Sequence, residues 1–164
     1  MRKHFFGSAL AILTFVLGTM ITGQAIAGDD GLIIQQSDFG VTKTLDRLGI
    51  ALERNGIKVI ARLDHAKNAQ SAGLELAPNA IIIFGNPKLG TPLMTSNPMI
   101  GLDLPLKAVA WQDKDGTVKL AYTDPAWLAQ RYGIEDRDKV FKKMAGALAK
   151  FTGMAVKRGG LPKQ

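Results

Sequence analysis

The sequence predicts an α+β fold: an antiparallel sheet of about five strands in β-α-β-β-β-β-α order, with the long helices packed on one face. Three observations carry this expectation. Apolar residues change period along the chain, from alternation to helical spacing and back. Two β-rich runs, 107–112 and 117–122, flank Asp113-Lys114-Asp115-Gly116, a four-residue connection closing on glycine that reads as a hairpin. After Gly73 the regular alternation of strands and long helices that a doubly wound parallel sheet needs is missing.

In chain order, the apolar run 32–36 is the first strand, and Ser37, Asp38 and Gly40 end it. Val41, Leu45, Leu48 and Leu52 then fall at i, i+4, i+7 and i+11, one face of a helix that stops at Asn55-Gly56. Ile57, Val59, Ala61 and Leu63 alternate with Lys58, Arg62 and Asp64, a strand with one wet face. Asp64 caps a two-turn helix ending at Gly73. Residues 79–84, with three consecutive isoleucines, form the most apolar strand and are expected to be central. Beyond the hairpin, Asp124-Pro125 opens a short helix that Gly133 closes. The last helix starts near Asp136 and carries Val140, Phe141, Met144, Leu148 and Phe151 on its apolar face. Gly153 is expected to end it and to leave 154–164 as a loose basic tail.

Residues 1–27 have the form of a secretory signal: Arg2, Lys3 and His4, then an apolar stretch from Ala9 to Leu17, then Ala25-Ile26-Ala27 before Gly28. Polar and glycine interruptions keep the apolar run short of the ~18 residues of a membrane span, so no anchor is expected after cleavage. A periplasmic or secreted location follows, with a single domain over 28–153. The chain contains no cysteine, which rules out disulfides and a lipid-modified cysteine at the processing site. Its net charge of +7 is uneven. From Arg131 onward nine Lys or Arg face three Asp or Glu, whereas 28–130 is nearly neutral. Basic residues confined to one helix and a tail do not make a nucleic-acid groove.

The stretch 81–106 organises the rest. It begins as a buried strand and breaks at Phe84-Gly85-Asn86-Pro87 into about twenty residues that read as irregular, with Pro87, Pro92, Pro98 and Pro105 among them. Its many leucines and methionines are too apolar for disorder, so it is expected to fold over something. Asn86 reads as a turn residue or as a group polarising a ligand carbonyl. Thr91-Pro92 reads as a helix cap and first helical position. His65, alone in the mature chain, is either a general base or metal ligand, or a histidine locking the loop. Asp103, flanked by leucines, is expected to accept loop N–H groups or to pair with His65 or Tyr122. Met94 and Met99 are gap-fillers or soft ligands to copper or haem beside His65.

Several motifs together resemble the family known only as domain of unknown function 302. They are Asp64-His65-x-x-x-Ala69, Gly73-Leu74, Leu76-x-Pro78, Phe84-Gly85-Asn86-Pro87, Gly90-Thr91-Pro92-Leu93-Met94, Leu102-Asp103-Leu104-Pro105-Leu106, Trp111, Asp115-Gly116 and Tyr122-x-Asp124-Pro125. The resemblance implies a helix-on-sheet arrangement like that of TATA-binding protein, without implying DNA binding. Two positions depart from the family pattern: Gly40 replaces a serine cap, and Ala77 replaces the arginine before Pro78.

The leading expectation is a non-enzymatic domain binding a small, largely apolar ligand between the sheet and the 85–106 loop. His65, Asn86, Thr91, Met94, Asp103 and Tyr122 would be its polar or soft lining, and Leu93 and Leu102 its walls. The alternatives are an enzyme working by acid–base chemistry through His65, Asp103 and Tyr122, a copper or haem handler using His65, Met94 and Met99, and a homodimer joined through the loop.

Overall fold

The computed structural model describes residues 26–27 and 30–161. The signal-like segment lies outside the described residues except for its last two. In chain order the elements are β1 (Ile26–Ala27), β2 (Leu32–Ser37), α1 (Val41–Arg54), β3 (Lys58–Asp64), α2 (His65–Ser71), β4 (Asn79–Gly85) and α3 (Pro87–Ser96). A 3-10 turn (Pro98–Leu102), β5 (Leu106–Gln112), β6 (Val118–Thr123), α4 (Pro125–Arg131) and α5 (Asp138–Val156) follow.

The strands form one sheet in the order β1-β2-β6-β5-β4-β3, and every described pairing is antiparallel. The α+β class and the strand sequence are as expected. β4 lies one strand in from the β3 edge rather than at the centre, and its burial alternates: Ile82 and Phe84 are buried under the helices, whereas Ile81 and Ile83 face the other side and are only partly covered. β3 is one edge of the described sheet and the two-residue β1 the other; the β3 register slips between Val59 and Ala61, so that Ile60 bulges out of the ladder.

The main core joins one sheet face to α1 and α5. Leu45, Leu48 and Leu52 of α1 and Leu148, Phe151 and Ala155 of α5 pack on Ile82, Phe84, Ala108, Leu120 and Tyr122. A second cluster, Leu93, Ile100, Leu128, Tyr132, Ile134, Phe141 and Met144, fastens α3, the 3-10 turn and α4 to the first half of α5. The 81–106 segment is therefore folded over α5 as well as over the sheet.

Two expectations need correction. The 85–106 stretch is largely helical. α3 starts at Pro87, four residues before the expected cap, and Pro92 lies inside it. The cause is local: Asn86 Oδ1 accepts the Lys88 N–H at 2.9 Å, and Pro87 supplies a ready helical φ at the first position. The same device recurs at Asn97-Pro98, where Asn97 Oδ1 accepts the Met99 N–H at 3.0 Å. Second, α5 runs through Gly153 to Val156, with Ala155 and Val156 buried in the main core. Arg47 of α1 holds this end, donating to the carbonyls of Ala155 (2.9 Å), Met154 (2.8 Å) and Lys157 (2.8 Å). The residues just after α5 are also held: Arg158 N–H donates to Asp38 at 3.0 Å, and Leu161 packs against the main core.

Candidate functional site

The helical face of the sheet does not close completely. Between the end of α1, the β3 edge, α3 and the middle of α5 lies a cavity of about 580 Å³. Each wall comes from a different element. Leu52 and Ile57 bracket the α1–β3 turn, and Ile60 stands at the bulge, half exposed. Phe84 and Gly85 end β4, and Leu104, Pro105 and Leu106 lead into β5. Pro87, Leu89, Gly90 and Met94 come from α3, and Met144, Ala147, Leu148 and Phe151 from α5.

Local sequence explains why space remains. Gly85 and Gly90 present no side chain where Pro105 and Leu104 approach, since a Cβ would lie 3.4 Å from the Pro105 ring and 3.6 Å from a Leu104 methyl. Pro92 and Leu93 turn to the other side of α3, where Leu93 is fully buried in the second cluster. The sole polar or charged lining groups are Lys58, Asn86 and Thr91. Asn86 has one oxygen committed to its helix cap. A volume of this size with carbon walls and few polar groups is the usual form of a small-molecule site.

Of the expected site residues, Asn86, Thr91 and Met94 share this cavity. His65, Asp103, Tyr122, Leu93 and Leu102 do not line it. His65 opens α2 just beyond the far end of β3, about 20 Å along the strand from Lys58 at ~3.3 Å per residue. Asp103 precedes β5 at the opposite end of the sheet. Its partner is Tyr132, whose hydroxyl donates to Oδ2 at 2.6 Å, with Arg131 Nε at 3.7 Å. Tyr122 is in the main core, where burial pushes its phenol up. The three candidates for acid–base chemistry thus stand in three separate surroundings. Leu102 and Met99 of the 3-10 turn are exposed, and Met94 lines the cavity whereas His65 does not. Among the described residues there is no group of three or more His, Cys, Asp or Glu suited to a metal.

Sequence reasoning missed the α5 wall and Lys58. Met144, Leu148 and Phe151 repeat at helical spacing, which signals a buried face without telling core from cavity. A second hollow of about 660 Å³ lies between the start of α1 and the 74–80 segment, with Asp64, Lys67, Gln70 and Glu75 in its walls. Its lining includes Asn79, whose buried Oδ1 has no hydrogen-bond partner. His65 lines neither hollow.

A single antiparallel sheet with its helices on one face, enclosing an apolar cavity under a capped helical segment, defines an α+β domain of the helix-on-sheet kind. The chain belongs to the family "Domain of unknown function DUF302", whose model matches residues 33–151. It superposes on the crystal structure of an uncharacterised conserved protein of that family from Bacillus stearothermophilus with a TM-score of 0.69. That likeness, at 22% identity, covers 77% of this chain and 98% of the other and shows a common fold. Curated relatives include "Fluoride-specific ion channel FluC 1" of Brucella suis biovar 1, 46% identical over 106 residues, or 65% of this chain and 42% of that one. "Fluoride-specific ion channel FluC 2" of Brucella melitensis biotype 1 shows the same identity over 39% of its length. The chain thus spans about two-fifths of the curated relatives it matches. No helix among the described residues is long and apolar enough to cross a membrane.

Proposed function

We propose that this is a periplasmic domain that binds a small, largely apolar ligand and does not transform it. The cavity between α1, α3, α5 and the β3–β4–β5 strand ends carries this reading, because its walls are mostly carbon and a wide apolar hollow favours an apolar guest. The signal-like N-terminal segment supports the location. Binding is favoured over catalysis because the cavity brings no pair of titratable groups together, its one charged lining residue being Lys58.

The test is mass spectrometry of what co-purifies with the protein, joined to thermal-shift measurements over a panel of apolar compounds. Ala147→Trp, which fills the cavity from α5, is the matched control. A bound compound, or a thermal shift that disappears in Ala147→Trp, is the expected result. No bound compound and no shift across the panel would sink the proposal.

A further inference from the structure

We infer that the guest is a single-chain amphiphile with an anionic head, a fatty carboxylate, with its chain in the cavity and its head among lysines at the mouth. The inference rests on the apolar-ligand reading and adds the chemistry of the head.

The charged residues that border the opening are mostly basic. Lys58 lines the cavity at the start of β3 and is exposed. Lys88 lies between Pro87 and Leu89, both of which line it. On α5 the argument is helical geometry. At roughly 100° per residue, Leu148 lies toward the core, and Ala147 is the cavity residue nearest solvent. The next positions round the helix beyond Ala147 are Lys143 and Lys150, four residues before it and three after, both exposed. Lys142 lies on the other side of the helix and pairs with Asp138.

These four lysines have no ion-pair partner among the described residues, a state they share with Lys43, Lys107, Lys114 and Lys139, so what sets them apart is their position around the opening. Two carboxylates adjoin the cavity in sequence. Asp103, beside Leu104, is engaged by Tyr132 and Arg131. Glu53, beside Leu52, is exposed at the end of α1 and is outnumbered four to one. An apolar hollow with an unpaired cationic rim is complementary to a molecule with a long carbon chain and one terminal negative charge. The start of α3 does not compete for that charge, because Pro87 has no N–H and the Lys88 N–H is taken by Asn86.

The experiment compares dodecanoate with dodecanol by titration calorimetry at low and high salt. The wild type and the triple variant Lys58→Gln/Lys143→Gln/Lys150→Gln are used, with Lys142→Gln as control. The wild type is expected to bind dodecanoate about tenfold more tightly at low salt, as several exposed charge pairs of a few tenths of a kcal/mol imply. The preference should shrink in high salt and in the triple variant, with dodecanol binding unchanged. Equal binding of acid and alcohol, or a preference that survives the triple substitution, overturns the inference and leaves the apolar cavity standing. Binding of neither overturns both readings. Adsorption to phosphatidylcholine–phosphatidylglycerol vesicles that needs the lysines, without dodecanoate uptake, also overturns it, in favour of a membrane surface.

Discussion

The hydroxyl of Tyr132, just past the end of α4, donates a 2.6 Å hydrogen bond to Asp103, just past the 3-10 turn. Asn97 Nδ2 reaches the Tyr132 carbonyl at 2.8 Å, so one residue holds both ends of the 3-10 turn. The bond to Asp103 is the main reason the Tyr132 phenol is raised above the usual tyrosine range. A raised pKa means that the contribution is complete below the unfolded value and lost as pH rises through the folded one. Amide exchange in 97–106 is therefore expected to accelerate above the ordinary tyrosine range. In Tyr132→Phe that faster exchange should already be present at neutral pH. Exchange in Tyr132→Phe that matches the wild type at neutral pH would show that the bond does not hold the segment.

Asn86 has two possible roles, which substitutions separate. Loss of its cap on α3 in Asn86→Ala should cost about 1 kcal/mol in chemical denaturation, whereas Asn86→Ser should recover most of that. If Asn86→Ser restores stability and still weakens ligand binding, the side chain touches the guest. If both recover together, it is a cap alone.

How far the sequence disclosed this arrangement can be judged at the Asx-Pro pairs. Asp124-Pro125 was legible as a helix start because an apolar helical face follows it. Asn86-Pro87 and Asn97-Pro98 cap helices by the same chemistry, yet each reads equally well as a turn, because the glycines and prolines after them hide the helical period. Strands and long helices were legible because alternation and i, i+4 spacing report directly on a buried face. The cavity was only half legible. Asn86, Thr91 and Met94 sit in one segment, but Lys58 and the α5 wall reach it through tertiary packing. The chemistries of His65, Asp103 and Tyr122 suit one another, but side-chain type carries no information on distance. Asp103 found the other tyrosine.

Leu93 and Leu102 separate packing from exposure within the same segment. Leu93 is fully enclosed in the second cluster, and Leu93→Ala should cost about 2–5 kcal/mol. Leu102 is 75% exposed, and Leu102→Ala should fall within about 0.5 kcal/mol of the wild type. Urea denaturation of the two variants checks the contrast, and similar losses would mean that Leu102 is packed rather than exposed in the 3-10 turn.

His65→Ala is expected to leave ligand affinity at the cavity unchanged, because α2 begins beyond the far end of β3. A partly exposed first helical residue that lacks a hydrogen-bond partner among the described side chains should also change stability by less than about 0.5 kcal/mol. Calorimetry with whichever ligand binds the wild type reads the first, and thermal denaturation the second. A tenfold loss of affinity would return His65 to the site.

The end of α5 offers the sharpest test of the fold. Deleting 154–164 removes Ala155 and Val156 from the main core and takes away all three carbonyl partners of Arg47. Burying a side chain the size of Val156 contributes about 1.5–3 kcal/mol, so the deletion should cost at least ~2 kcal/mol, whereas removal of a loose tail would cost almost nothing. The junction has an acid-sensitive part. Asp38 accepts the Arg158 N–H at 3.0 Å and faces Lys157 at 3.7 Å. The Arg158 bond first, and the nearby cations after it, hold this carboxyl below its ordinary value against a small opposing effect of burial. A depressed carboxyl contributes stability above its unfolded pKa and loses it as pH falls through the folded one. Amide exchange at 155–158 should accelerate below the ordinary carboxylate range in the wild type, and Asp38→Asn should flatten that dependence. A deletion variant as stable as the full chain would mean that the helix ends at Gly153 and that α5 does not close the main core.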